Sequence, residues 1–488
     1  MANIDYDNKT FVAKRFLGKT QTAQSVRVSV RNEIADVVSV GVDNVVSGYD
    51  ISGKEITFYG KTTVKLLYSD GTSLQSANFG ADFASSVTTE RLGSGDKIVF
   101  EVTTVDTNVE TNANTATINI LSEVRAYGYV SDNTTYVVGG EDVFVKTDKV
   151  EAMTYANVLR IPFTVDRELT SSATISSVLL AESRLEVTDY SVSDGVLTVS
   201  GNGVGRLTYM SEGNLVVDNF PFGWTRELDA PDINAEQQLN FAATIKATKV
   251  RLDISDEGGN TAFSLEMQAE MQIEATVVQP VDIVTDLYST TCDYIAERAT
   301  VETTLPCGST HEERKLGFSA DDGLVGAVNV GATVTACKGG DKTVTVEGYV
   351  TATLLYKADG EVGFRGETKE LPFAETFDVP YISPDCTCGA SVAVGEVVAE
   401  RGNGLRVQLW ADIVGGKNVS FGVISSVEEK PYDNSERAAI EVCLAKKGDT
   451  LWNLAKTLHM SEADLVANNP TLTTPLEEDT RVVIFNRI

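Results

Sequence analysis

Two glycine-rich stretches, two histidines and six cysteines are the residues of this chain whose types and spacing suggest chemistry. The stretch GYDISGKE at 48–55 nearly spells a phosphate-binding loop, in which backbone amides at a helix N-terminus cradle phosphate. Such a loop needs Ser or Thr after the lysine to hold magnesium, and Glu55 stands there. The strand-like ITFYG follows where a helix is required. Gly18, Lys19 and Thr20 lack the upstream glycine, since position 13 is Ala13. Gly201, Gly203 and Gly205 imitate part of a dinucleotide fingerprint, yet no helical pattern follows, and a bent strand accounts for them. His311 and His459 stand near no recognisable nucleophile motif, and neither HExxH nor GxSxG occurs. Carboxylates are abundant on an acidic chain, and no pair stands out as acid and base. No catalytic residue and no cofactor are expected.

The cysteines are Cys292, Cys307, Cys337, Cys386, Cys388 and Cys443, and the first 291 residues have none. A disulfide-stabilised protein would not leave its larger part without them, so reduced thiols in a cytosolic setting are expected. Cys386 and Cys388 form one tight pair, whereas zinc sites usually use two, so no metal is expected.

The net charge is -30, which excludes nucleic acid as a partner and disfavours anionic membranes, since phosphate contacts need clustered Lys and Arg. Residues 438–488 carry 5 Lys and Arg against 7 Asp and Glu, so the first 437 residues hold -28 of that charge. No run of 18 apolar residues exists, and the N-terminus, MANIDYDNKTFVAKRF, lacks the apolar core of a secretory signal. The expectation is a chain without membrane insertion that stays in the cytoplasm where it is made.

The elements that would carry any site repeat themselves. ITFYGKTTVKLLYSDG from Ile56, LTVSGNGVGRLTYMSEG from Leu197 and VTVEGYVTATLLYKADG from Val344 share one grammar. A glycine precedes a tyrosine by eight residues each time: Gly60 and Tyr68, Gly201 and Tyr209, Gly348 and Tyr356. Leu66, Leu207 and Leu354 stand two residues before the tyrosine, and Gly71, Gly213 and Gly360 follow in a turn. Period-two alternation of this length predicts a strand running into a hairpin, and the internal glycine marks a bulge, a bend or a close backbone approach. β-rich runs follow each copy, split by turn signals at 112–114, 257–260 and 401–404. The reading is mainly β: three tandem β-sandwich-like modules at 1–145, 146–286 and 287–430, then a linker at 431–437.

Residues 438–488 read differently. Ile440, Val442 and Leu444 alternate as a strand; Thr450 can cap a helix whose apolar face is Leu451, Leu454, Ala455 and Leu458. Ser461 with Asp464 resembles a capping box for a second helix, Asn469 and Pro470 end it, and RVVIF at 481–485 closes a βααβ order. The run KKGDTLWNLA at 446–455, with Leu465, Asn469 and Pro470 downstream, resembles the LysM domain signature. That resemblance implies two helices on one side of a two-stranded sheet, and binding of N-acetylglucosamine polymers such as peptidoglycan. Its groove would be formed by Gly448, Asp449, Thr450, Leu451 and Trp452 from one loop, and Ala467, Asn468, Asn469, Pro470 and Thr471 from the other. Leu451 doubles as a core residue, Asp449 as a turn residue, and Trp452 is the candidate stacking platform. The family's glycine before the last strand is replaced here by the acidic 476–479 stretch.

The repeated glycine–tyrosine β module with a LysM tail resembles the SipL-like spore-coat morphogenetic proteins of clostridia. The resemblance implies a non-enzymatic scaffold in the mother cell at the forespore surface. Its tail would dock on other coat morphogenetic proteins, foremost a polymerised ATPase of the coat basement. The rival expectation is a peptidoglycan- or N-acetylglucosamine-binding protein of the cell wall or spore cortex.

Overall fold

The run from Phe263 to Ala275 shows why this chain folds as sheet. Phe263, Leu265, Met267, Ala269, Met271, Ile273 and Ala275 are all buried, while Glu266, Glu270 and Glu274 alternate with them on the other face. Side chains of a strand point to opposite faces in turn, so this spelling can bury its apolar half only as a strand. The computed structural model describes residues 4–90, 92–93, 95–252, 260–357, 363–400, 403–432 and 438–485, and within them the chain is mainly β. Gly360, linker residues 433–437 and parts of the 257–260 and 401–404 turns lie outside the described residues.

Eighteen strands fall into three sets of six with one pairing order. The first set is β1 (Ile4–Ser29), β2 (Asp36–Ser52), β3 (Glu55–Ser69), β4 (Leu74–Thr88), β5 (Lys97–Asn112) and β6 (Thr115–Gly140). The second is β7 (Val143–Ser171), β8 (Ser177–Ser193), β9 (Val196–Ser211), β10 (Asn214–Asp229), β11 (Gln238–Leu252) and β12 (Thr261–Ser289). The third is β13 (Cys292–Ser319), β14 (Leu324–Gly339), β15 (Thr343–Lys357), β16 (Phe364–Asp378), β17 (Thr387–Glu400) and β18 (Gly404–Pro431). In each set the last strand is central between the first and fifth, and the third is central between the second and fourth, all antiparallel. Breaks between sets fall at 141–142 and 290–291, so positions 145 and 286, where the repeat suggested boundaries, lie inside β7 and β12.

The three glycine–tyrosine segments are the central strands β3, β9 and β15. Tyr68, Tyr209 and Tyr356 are buried, as are Leu66, Leu207 and Leu354. Each repeated glycine lies opposite or beside a β-bulge in the preceding strand, at Val46/Gly48, Val187/Asp189 and Val334/Ala336. A Cβ at Gly60, Gly201 or Gly348 would collide with the backbone carbonyl of Val45, Glu186 or Thr333. The glycine therefore answers a bulge on its neighbour rather than one of its own. The loop-like 48–55 stretch is the end of β2, a two-residue turn at 53–54 and the first residue of β3, and Gly201, Gly203 and Gly205 lie within β9. Glu212 and Gly213, both with positive φ (49° and 79°), make the two-residue turn from β9 to β10.

The sets do not sit as beads. First strands β1, β7 and β13 touch pairwise, as do last strands β6, β12 and β18. The fourth strand of each set meets the second strand of the next: β4 with β8, β10 with β14, and β16 back with β2. A closed ring results. Phe11, Tyr136, Ala152, Val281, Ile283, Val301 and Val423 form one shared core, drawn from all three sets. Val38, Leu67, Leu180, Leu215, Val328 and Leu355 form another. The buried Thr303 hydroxyl donates to Val12 O and accepts from Met153 N, both at 2.9 Å, tying β13 to β1 and β7. His311 on β13 bridges Glu186 of β8 at 2.5 Å and Asp412 of β18 at 2.6 Å. Hydrogen bonds to Asp412 and Glu186 raise its pKa to about 10.

Gly348→Ala should cost about 3 kcal/mol, the upper range for overpacking, read as a lower urea midpoint. Gly422→Ala, where a Cβ meets open space, should be nearly silent. A raised histidine pKa stabilises the fold fully below its unfolded value of about 6.5. That contribution is lost as pH rises through about 10. The thermal midpoint should therefore fall by about 2 °C or more between pH 7 and pH 10, and His311→Gln should abolish that part of the fall.

Candidate interaction site

The last described residues build a βααβ unit from β19 (Ile440–Ala445), α1 (Leu451–Leu458), α2 (Glu462–Asn468) and β20 (Thr480–Phe485). Both expected caps are present. The Thr450 hydroxyl accepts from Asn453 N at 3.2 Å and the Ser461 hydroxyl from Asp464 N at 3.0 Å. Leu454, Ala455, Leu458, Met460, Leu465, Leu476, Val482 and Ile484 form the core.

The ten residues singled out on the two loops do not act alike. Gly448 N donates to Leu476 O at 2.8 Å, and Leu476 N donates to Asp449 O at 3.0 Å, so this turn is pinned to the 476–479 stretch. Asp449 accepts from Lys446 N at 2.7 Å and is a turn residue, as expected. Asn469 is a backbone clamp: its amide donates to Leu465 O and Val483 O, and its oxygen accepts from Val483 N. Gly448, Thr450, Ala467, Pro470 and Thr471 are exposed; Leu451, Asn468 and Asn469 are half-buried. Leu451 packs on the unit's core, as does Leu472 beside the second loop. The acidic stretch that replaces the usual glycine is structural. Leu476 is buried, and Asp479, accepting from Lys447 N and Lys446 Nζ, is held below the usual carboxylate range.

Trp452, the candidate stacking platform, is half-buried and turned onto the strand sets. Its indole Nε1 donates to Asp286 Oδ2 at 2.8 Å, and its ring meets Tyr288 edge-on at 4.9 Å. Lys456 Nζ reaches Asp286 Oδ1 at 2.5 Å. Burial would raise the Asp286 carboxyl, but hydrogen bonds from Lys456 and Trp452 outweigh it and hold the pKa low. Tyr288 stacks on Phe144 and donates its hydroxyl to Met460 O at 3.1 Å; burial pushes its pKa up to about 12. His459 stacks on Tyr432 with centroids 3.8 Å apart, and its Nε2 lies 3.4 Å from Asp293. Asp286 and Tyr288, on the far end of β12, are thus as much a part of this unit's setting as its own residues. Nothing in the sequence around them signals it.

A second feature also escaped the sequence. Ile440, Val442 and Leu444 face solvent at 59%, 62% and 55% exposure, joined by Phe485 at 52%. Ile440 pairs with Phe485 across the two-stranded sheet, so these side chains share its outer face. Cys443 and Ala445 take the inner face towards the helices. Ile440, Val442 and Leu444 hold one parity of β19 and Glu441, Cys443 and Ala445 the other, so alternation alone pointed the larger apolar row inward, opposite to what is seen.

The cysteines also depart from expectation. Cys307 and Cys386 are paired as a disulfide between β13 and the segment before β17, which corrects the reading of all thiols as reduced. Cys388 meets Cys337 instead, and burial raises the Cys337 thiol to about 12. The tight pair at 386 and 388 therefore serves two different partners. No helix among the described residues is long and apolar enough to cross a membrane. No family model, curated protein or solved structure matches the chain.

Trp452→Ala should remove about 2–3 kcal/mol of docking between the tail unit and β12. Hydrogen exchange over residues 279–289 should quicken while exchange in β3, β9 and β15 stays unchanged. Unchanged exchange at 279–289 would show that the indole contact contributes nothing.

Proposed function

We propose that this chain is a non-enzymatic assembly scaffold of the SipL-like kind, made in the mother cell and placed at the forespore surface. On this reading the three strand sets are three copies of one β module, and residues 438–488 are a LysM-type domain that docks on a polymerised coat-basement ATPase. One observation carries the choice of a protein partner over a glycan. The tail unit's candidate stacking aromatic is engaged with Asp286 and Tyr288, while four large apolar side chains stand exposed on its outer sheet face. Exposed apolar patches of this kind mark protein contacts. Sugar recognition would instead want a free aromatic face with polar groups around it.

The ring arrangement fits the same role. A rigid body with several faces can hold more than one partner, and weak contacts to a polymer add through effective concentration. The glycan-binding alternative is retained on the exposed loop residues Thr450, Ala467, Pro470 and Thr471.

The test is co-sedimentation of the full chain with the polymerised ATPase, and separately with purified peptidoglycan. Val442→Asp combined with Leu444→Asp should lower ATPase co-sedimentation at least tenfold, about 1.4 kcal/mol or more, and displace a fluorescent fusion from the forespore. Retention on peptidoglycan that survives this change, with no binding to the ATPase by the unaltered chain, would favour the glycan reading.

A further inference from the structure

The open side of the second strand set carries an arrangement that the docking reading does not use. β7 and β10 are edge strands of that set's two sheets, and they touch. Arg167 on β7 donates through Nε and Nη2 to Gly223 O, at 3.0 and 2.6 Å. Arg226 on β10 donates through Nε to Thr164 O at 2.6 Å. Each arginine thus fastens the other strand's free edge carbonyls. Carbonyls orient a guanidinium without neutralising it. Among the described residues neither arginine has a carboxylate partner, on a chain whose net charge is -30. Both line a shallow concavity of about 460 Å³, together with Thr188, Ser200 and Thr225.

The third set shows what an ordinary edge clasp looks like. Arg314 on β13 likewise donates to a carbonyl of β16, Thr376 O, but it is ion-paired with Glu312 at 2.6 Å and Glu375 at 3.7 Å. Glu375 pairs with Val346, two residues before Gly348; Arg226 pairs with Val199, two residues before Gly201. At one and the same register position, a neutralising glutamate in the third set is a second arginine in the second set. The first set has Ser85 there, opposite Phe58. An edge clasp needs one arginine with its charge balanced. Two unbalanced guanidinium groups, pre-oriented around one hydroxyl-lined hollow, are what recognition of a carboxylate or phosphate requires.

We propose that the hollow between Arg167 and Arg226 binds an anionic oxygen group, carboxylate or phosphate, of a partner molecule. Calorimetric titration of the full chain at fixed ionic strength tests this, with inorganic phosphate in one arm and acetyl-tetraglutamate in the other. Saturable binding of either probe, weakened at least tenfold in Arg226→Glu, is the expected result. Arg226→Glu recreates the ion pair of the third set, and Arg226→Gln serves if that variant fails to fold. Tighter binding of phosphate identifies a phosphorylated ligand, and tighter binding of the peptide an acidic protein segment. No saturable binding of either probe to the unaltered chain, or equal affinity after the Arg226 substitutions, would overturn the proposal.

Discussion

A strand of 26 to 29 residues is longer than one small sandwich can cover, and its surplus has to be buried somewhere else. All six first and last strands fall in that range, from 26 residues in β1 and β6 to 29 in β7 and β12. β12 shows the consequence most clearly. From Phe263 to Ala275 its apolar side chains fill the core of its own set. Val281 and Ile283 then enter a core shared by all three sets, Val284 and Leu287 enter a further shared one, and Tyr288 ends against the tail unit. One strand serves four cores in succession. A fully buried side chain of this kind contributes about 1.5–3 kcal/mol, so the extensions can hold the ring closed only if all three sets supply theirs together.

Equivalent positions that meet around a ring would allow more than one order of assembly if they were identical. They are not identical. Five residues after the repeated glycine stand Lys65, Arg206 and Thr353. Lys65 is paired with Asp43 at 2.7 Å, and Asp43 also lies 3.7 Å from Arg184 of the second set. Arg206 is almost wholly buried, and burial lowers its pKa despite Glu182 nearby; it donates to Gly395 O of the third set at 2.8 Å. Asn329 of the third set donates to Glu182 and to Ser39 of the first. A buried charge is costly unless each donor finds its acceptor, and only one order of the sets places these partners opposite each other. This polar seam opposes mispairing, while the apolar shared cores supply the attraction.

The tail unit is held from one side and free on the other. The contacts of Trp452, Lys456 and His459 fix its helical side to β12, to Asp293 of β13 and to Tyr432 just after β18, and so set the direction in which its sheet faces. The outer row of Ile440, Val442, Leu444 and Phe485 is then displayed by a unit anchored on β12 through these contacts. Less conformational freedom is lost when such a surface is captured, which favours affinity. The proposed docking function therefore depends on an intrachain contact that is itself far from the docking face.

The sequence by itself determined what depends on near neighbours. Period-two spelling identified β3, β9 and β15, the eight-residue spacing of glycine and tyrosine marked them as copies of one unit, and Thr450 and Ser461 announced two helices by their capping hydroxyls. These features act over a few residues, so they are written where they operate. Of the candidate site, the loops, the turn role of Asp449 and the core role of Leu451 were legible. The tertiary structure alone decided that Trp452 turns inward to Asp286, 166 residues earlier in the chain, and that Cys307 finds Cys386 across 79 residues. It also decided that β19 shows Ile440, Val442 and Leu444 outward, and that three repeats close into a ring. Alternation states that a strand has two faces, but which surface each face meets is settled by the shape and charge of distant segments.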